Sequence, residues 1–433
     1  MNTLKWKHLT ASFALASAIT FLPTSASANA NEPIRIGIST FLSGAGSVFG
    51  VPAQKTAEYL VEQINQSGGI KGSTVELTFI DENRGVDNTI VEFRSLTENQ
   101  KVDAMIIGLS SSICLAVAPA AEELKIPTML WDCGTERLYE ERSYDYVYRT
   151  SDWTPPNNLA MALYLLKSKP EIKTIAGINQ DYAFGRDNWT AFKQVIQTLR
   201  PDIKIVAELF PKLGTPDYST EISKLSSLRP DVVFTSLWGG DMNTFIRQSA
   251  SRSLFRNATL VSPNGESSLQ QLGKSFPENS IIGMRGDSYS LNPAMKDVPE
   301  HQTFIEAIKD KTGTYPSFPS YHMAQAIYSI KVALEENWNG EHDSLKDALL
   351  AGWKNLELND LTGNLAIRED NQAVEGQLVG VTSKSDEHDF MVLNNLMLFP
   401  GELITPPIGV KAQEWLKEIS SDMLNKFEIP SQN

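Results

Sequence analysis

Three consecutive hydroxyl residues, Ser110-Ser111-Ser112, stand between an apolar run ending at Ile107 and a helical pattern beginning at Ile113. Hydroxyls together with the free backbone N–H groups of a helix amino end make a ready anion site, and a ligand carboxylate is its natural guest. A serine N-cap needs no ligand, so both readings stand. Asp132 and Thr135 follow the next apolar run and fall at the same edge. Cys114 and Cys133 each follow the end of an expected strand. A bridge between them would close a loop of about 20 residues and contribute roughly 3 kcal/mol; two buried free thiols are the alternative. The histidines (His8, His301, His322, His342 and His388) are scattered. With no clustered thiols, neither a metal site nor a cofactor is expected. Gly-x-Ser-x-Gly, His-Glu-x-x-His and a phosphate loop are absent from the sequence. No histidine falls in the expected cleft loops to act as a base for Ser111. The chain is therefore expected not to be an enzyme.

The elements that would position these residues follow a repeating pattern. Ile34–Ser39 alternates as a strand, a Gly/Ser loop at Ser43–Ser47 follows, and Ala53–Ile64 has helical spacing stopped by Gly68-Gly69. Strands are expected at Val75–Ile80, Val102–Ile107 and Ile126–Trp131, with helices at Val86–Asn99 and Ile113–Leu124. A second series begins near Arg149, with strands at Thr174–Ile178, Ile203–Ala207, Val232–Thr235, Thr259–Val261 and Ile281–Met284 and helices between them. Later helices at Gln302–Lys311, Tyr321–Glu335 and Leu345–Ala351 lack strands for a third sheet and should pack back on the first unit. Leu361–Ile367 and Gly376–Val381 read as a final pair of strands, and Ala412–Leu424 reads as one amphipathic helix lying on a lobe. Strand and helix alternating through short connections predict parallel sheets covered on both faces. The expected fold class is α/β: two Rossmann-like lobes joined by three hinge crossings, near Thr150, Arg285 and Asn364. The first lobe takes residues 31–149 and 286–363, the second takes 150–285 and 364–399, and residues 400–433 form a helical extension. Ligands of such folds sit in the crevice at the strand carboxyl ends.

Residues 1–30 read as a secretory signal. Lys5 and Lys7 precede an apolar stretch, Leu9–Leu22, and Ser25-Ala26-Ser27-Ala28-Asn29-Ala30 supplies small residues for cleavage after Ala28 or Ala30. No cysteine stands there to carry a lipid anchor, and the stretch is too short to span a bilayer. The whole chain has a net charge of -14 with 41% hydrophobic residues. That acidity excludes nucleic acid and anionic lipid surfaces, which need Lys/Arg faces. An exported, soluble monomer without direct membrane insertion is expected.

Ile34–Ser43, the run Ile64-Asn65-Gln66-Ser67-Gly68-Gly69-Ile70-Lys71-Gly72, Asp81 at a strand end, Gly108–Ser112, Asp181–Gly185 and Ile246–Ser249 together resemble the leucine/isoleucine/valine-binding family of type I periplasmic solute-binding proteins. The similarity runs from about Ile34 to Val381. It implies a periplasmic protein that captures a small solute between two lobes and delivers it to the membrane permease of an ABC transporter. It implies that the serine turn receives the ligand carboxylate and that the segment holding Asp132 and Thr135 adds contacts. That segment, Trp131-Asp132-Cys133-Gly134-Thr135, is one residue longer than the family pattern. Asp132 then pairs with a ligand amino group or stays a solvated loop carboxylate. Tyr182 matches a tyrosine that closes over the ligand, while Trp238 and Phe49 fall where aromatics line the pocket. Members that bind α-amino acids place a glutamate after the proline of Ser262-Pro263-Asn264-Gly265-Glu266; here Asn264 holds that place and Glu266 lies two residues on. Asparagine offers a cation only neutral hydrogen bonds. Either Glu266 or Asp132 substitutes, or the solute is an amide, a urea-like compound, a keto acid or an aromatic acid. A ligand-sensing clamshell feeding a membrane receptor is the first alternative, and an exported hydrolase the second.

Overall fold

The computed structural model describes residues 32–360 and 363–428; the segment 1–30, expected from the sequence to be an export signal, lies outside them. Strands β1 (Ile34–Thr40), β2 (Val75–Asp81), β3 (Ala104–Ile107), β4 (Thr128–Leu130) and β5 (Val147–Arg149) form a five-stranded sheet in the order β2-β1-β3-β4-β5. Every neighbouring pair in it is parallel. Its inner strands are almost continuously buried because helices cover both faces. The second series supplies β6 (Thr174–Ile178), β7 (Lys204–Leu209), β8 (Val232–Phe234), β9 (Thr259–Ser262) and β10 (Ile281–Gly283). After three short strands, β11 (Glu357–Asp360), β12 (Gly363–Ile367) and β13 (Ala373–Glu375), come β14 (Gln377–Ser383) and β15 (Val392–Phe399). The larger sheet has seven strands in the order β15-β14-β10-β9-β8-β6-β7.

The α/β class holds, with two corrections. The larger sheet is mixed, because β14 runs antiparallel to β10 and to β15. The strands expected as a final pair do not pair with each other: β12 joins β11 and β13 in a small antiparallel sheet, and β14 joins the large one. Helices Pro299–Thr312, Phe318–Asn337 and Leu345–Trp353 do pack back on the first sheet, burying Phe304, Tyr321, Ile327, Leu349 and Trp353 with Ile36, Ile38 and Leu60. A second core gathers Leu163, Phe192, Phe234 and Val261 around the large sheet. Residues 149–154 lead from β5 to helix Thr154–Ser168 in the second core, residues 284–299 lead from β10 to helix Pro299–Thr312 on the first, and residues 373–378 join β13 to β14.

The extension is not one helix. Ala412–Glu418 and Asp422–Asn425 are separate, and between them Ile419 turns extended. Leu416, Ile419, Met423 and Phe427 are buried in the second core, and Lys167 Nζ donates to the carbonyls of Leu424 and Phe427. Among the described residues no helix is long and apolar enough to cross a membrane.

Two glycines set the loops that face the crevice. A Cβ on Gly50 would lie 1.9 Å from the Phe41 carbonyl oxygen, so the helix Ser47–Gln66 presses directly on the loop after β1. A Cβ on Gly185 would lie 2.0 Å from the Gln180 carbonyl oxygen, which lets the turn after β6 present Tyr182 and Phe184.

Candidate functional site

The carboxyl ends of strands from both sheets meet at a small cavity of about 10 Å³ lined by Phe49, Leu109, Asp132, Tyr182, Phe184, Trp238, Asn264 and Arg285. Leu109 follows β3, Asp132 follows β4, and Phe49 sits in the first turn of helix Ser47–Gln66. Tyr182 and Phe184 follow β6, Trp238 follows β8, Asn264 follows β9 and Arg285 follows β10. This is the ligand position of open α/β sheets. The volume is about that of one water-sized sphere, so a solute enters only as the walls part.

Aromatic rings make half of the wall. Phe49 stacks on Trp238 with ring centroids 5.6 Å apart, and Phe41 meets Trp238 edge-on at 5.9 Å. The Trp238 Nε1–H donates to the Tyr182 hydroxyl oxygen at 2.8 Å. Burial holds the Tyr182 hydroxyl well above the usual tyrosine range, so it stays protonated and its hydrogen is directed elsewhere than to Trp238.

Behind the rings lies a buried ion cluster. Arg285 Nη1 sits 2.5 Å from Asp132 Oδ1 and Nη2 sits 2.9 Å from Asp152 Oδ1. The guanidinium lies over Phe184 at 5.3 Å and over Phe318 at 5.0 Å. His322 Nε2 donates to the Arg285 carbonyl at 2.6 Å, and its Nδ1 lies 3.4 Å from Asp132 Oδ1. Asp132, Asp152 and His322 could each offer an atom to one metal ion, but Arg285 already supplies the positive charge between the two carboxylates. Arg285 has a left-handed backbone, φ +52°, a strain that persists only where surroundings over-determine it.

The serine turn is held from inside. Glu82, one residue beyond β2, is buried and accepts from Ser39 Oγ at 2.7 Å, from the Leu109 N–H at 3.2 Å and from the Ser110 N–H at 3.2 Å. Burial pushes its carboxyl up to about 7 against the pull of these hydrogen bonds. Ser110 is the N-cap of helix Ser111–Leu124 but makes no side-chain cap bond, and the buried Ser111 Oγ has no partner among the described residues. Ser110, Ser111 and Ser112 stand beside the cavity without lining it.

Of the residues singled out from the sequence, Phe49, Asp132, Tyr182, Trp238 and Asn264 come together at the cavity. Thr135 does not, because its Oγ1 donates to Asp187 Oδ2 at 2.7 Å. Glu266 does not, because the tight turn Glu266–Ser268 aims it at the Phe318 N–H, 3.4 Å away. Burial pushes the Glu266 carboxyl up to about 8. Asn264 is tethered, its Nδ2 to the carbonyls of Ser236 and Leu237 and its Oδ1 to Ser262 Oγ. Cys114 and Cys133 are free, buried thiols, and burial with the neighbouring Cys133 raises the Cys114 thiol. Sequence reasoning missed Phe184, Leu109, Glu82 and Arg285. The lone charged residue breaking the apolar run Ile281–Met284 was the available signal for Arg285.

The raised carboxyls carry a pH prediction. Glu82 at about 7, Glu266 at about 8 and Glu136 at about 8 all lie above the ordinary 4.5. Between pH 4.5 and 8 the folded chain therefore binds more protons than the unfolded chain, and stability falls as pH rises. Each carboxyl would cost on the order of 3 kcal/mol once ionised. The melting temperature should drop from pH 5 to pH 8.5, and Glu266→Gln should flatten that slope; a melting temperature that rises across the window contradicts the assignment.

A family model described as periplasmic binding protein matches residues 33–387. The Leu/Ile/Val-binding protein homolog 3 of Brucella melitensis is 26% identical over 325 residues, covering 74% of this chain and 84% of that protein. A solute-binding protein of an ABC transporter from Rhodopseudomonas palustris, solved with 3,4-dihydroxybenzoic acid, superposes with a TM-score of 0.72 at 22% identity, covering 86% of this chain and 98% of that one. The branched-chain amino acid transporter substrate-binding protein of Streptococcus pneumoniae, solved with isoleucine, superposes with a TM-score of 0.67 at 16% identity, covering 84% of this chain and all of that one.

Proposed function

The chain belongs to the periplasmic binding protein family, and from that premise we propose that it is the periplasmic solute-binding component of an ABC import system. It is exported with cleavage after Ala28 or Ala30 and works as a monomer. The two lobes carry the five-stranded and the seven-stranded sheet, and residues 149–154, 284–299 and 373–378 are the hinge. A small amino-acid-like, amide or organic-acid solute enters the crevice, and rigid-body closure sheds its water. The closed form then docks on the permease. No covalent change to the solute is required.

The observation that carries this reading is the convergence of strand ends from both sheets on one aromatic cavity. Phe49 and Trp238, stacked across it, come from opposite sheets, so a solute between them couples its binding to the distance between lobes. Aromatic faces give large contact area at small entropic cost. Partners are therefore the solute and the membrane permease. A thermal-shift screen across amino acids, amides, amines and organic acids tests the proposal. A solute at one hundred times its Kd should stabilise the chain by about 2.7 kcal/mol, read as a higher melting temperature. No stabilisation by any class would refute the proposal.

A further inference from the structure

Resting on the solute-binding reading, we infer that the solute presents N–H donors, as a primary amide or an amine, to Asp132, and carries no carboxylate. The polar inventory of the cavity points there. Asp132 lines it and is fully buried, and its Oδ2 has no partner among the described residues. A buried carboxylate oxygen without a donor is costly, and a solute N–H or ammonium would supply one.

The groups at the cavity wall that would receive a carboxylate are taken. The Leu109 and Ser110 amides at the start of helix Ser111–Leu124 bond to Glu82. The Arg285 guanidinium faces two carboxylates, Asp132 and Asp152, so its charge is already opposed. Asn264 spends its amide group on the Ser236 and Leu237 carbonyls. A solute carboxylate would meet Asp132 in a site of low dielectric where the Leu109 and Ser110 amides already serve Glu82, which favours its rejection. Among the side chains that line the cavity the remaining donor is the Tyr182 hydroxyl, whose oxygen already accepts from Trp238; its hydrogen suits an amide carbonyl. The stacked Phe49 and Trp238 rings and the Phe184 face ask for an apolar body.

Matched triads on one carbon skeleton test this with the full mature chain: isovalerate, isovaleramide and isoamylamine; benzoate, benzamide and benzylamine. Affinity is read by titration calorimetry and melting temperature. At least one amide or amine should bind tenfold or more tighter than its acid, and Asp132→Asn should remove that preference. Because Asp132→Asn also deprives Arg285 of a partner, Tyr182→Phe is the second variant; it leaves the ion cluster intact and should weaken an amide several-fold while sparing an amine. The inference is overturned if any acid binds as tightly as its amide and amine, or if no amide or amine of the triads binds. Acids that bind with affinity lost in Tyr182→Ala would overturn the inference alone and leave the cleft reading standing. Binding indifferent to Tyr182→Ala would refute the cleft reading itself.

Discussion

Arg285→Ala will lower the unfolding free energy by about 3–5 kcal/mol, the cost of removing one partner from a buried ion pair. Its removal leaves Asp132 and Asp152 buried with their common counter-charge gone; His322 lies 3.4 Å from Asp132 and 3.9 Å from Asp152. It also removes the cation between the Phe184 and Phe318 faces. Urea unfolding followed by far-UV circular dichroism measures the loss. Arg285→Lys should recover only part of it, because one ammonium cannot reproduce a planar fork reaching two carboxylates. Arg285→Gly separates the backbone contribution: glycine relieves the left-handed strain and should still lose nearly as much as alanine. A loss under 1 kcal/mol in Arg285→Ala would contradict the cluster as described.

Tyr182→Ala should weaken solute binding at least tenfold, about 1.4 kcal/mol, while leaving the unliganded fold close to its original stability. Tyr182 packs at the margin of the first core and is only partly buried, so its truncation opens the cleft wall more than it hollows a core. The indole N–H of Trp238 loses its acceptor, and the stacked wall at Phe49 loosens with it. Calorimetric titration of the tightest solute from the screen measures the change. An affinity equal to that of the unmodified chain would contradict the placement of Tyr182 on the solute.

Much of this was legible in the sequence. The alternation of β-branched runs with helical spacing placed both parallel arrays, and glycine stops marked their turns. β5 escaped notice because Val147–Arg149 is three residues long and carries an arginine. β15 escaped because Asn394 and Asn395 break its apolar pattern, and Asn395 has a left-handed φ of +51°. The small sheet escaped because its strands pair only with one another. Near the cavity, chemistry placed one residue past an apolar run was readable, as at Asp132, Tyr182 and Asn264. Glu82 was not, because a carboxylate beside Asp81 at a strand end looks like solvent-facing loop, and only folding carries it beneath Ser39 and Ser110. Glu266 and Thr135 failed to join the site for the converse reason: nearness in sequence does not fix direction in a tight turn. Asn264 was visible at once, and the ion cluster of Arg285, Asp132 and Asp152 was visible only in three dimensions.

On the proposed function, one solute is held between the two sheets and draws them together. Small-angle X-ray scattering of the mature chain, with and without a saturating solute from the screen, tests it most directly. The radius of gyration should fall on binding in the unmodified chain, and fall less in Tyr182→Ala under equal saturation. A radius of gyration unchanged by a solute shown to be bound would contradict it.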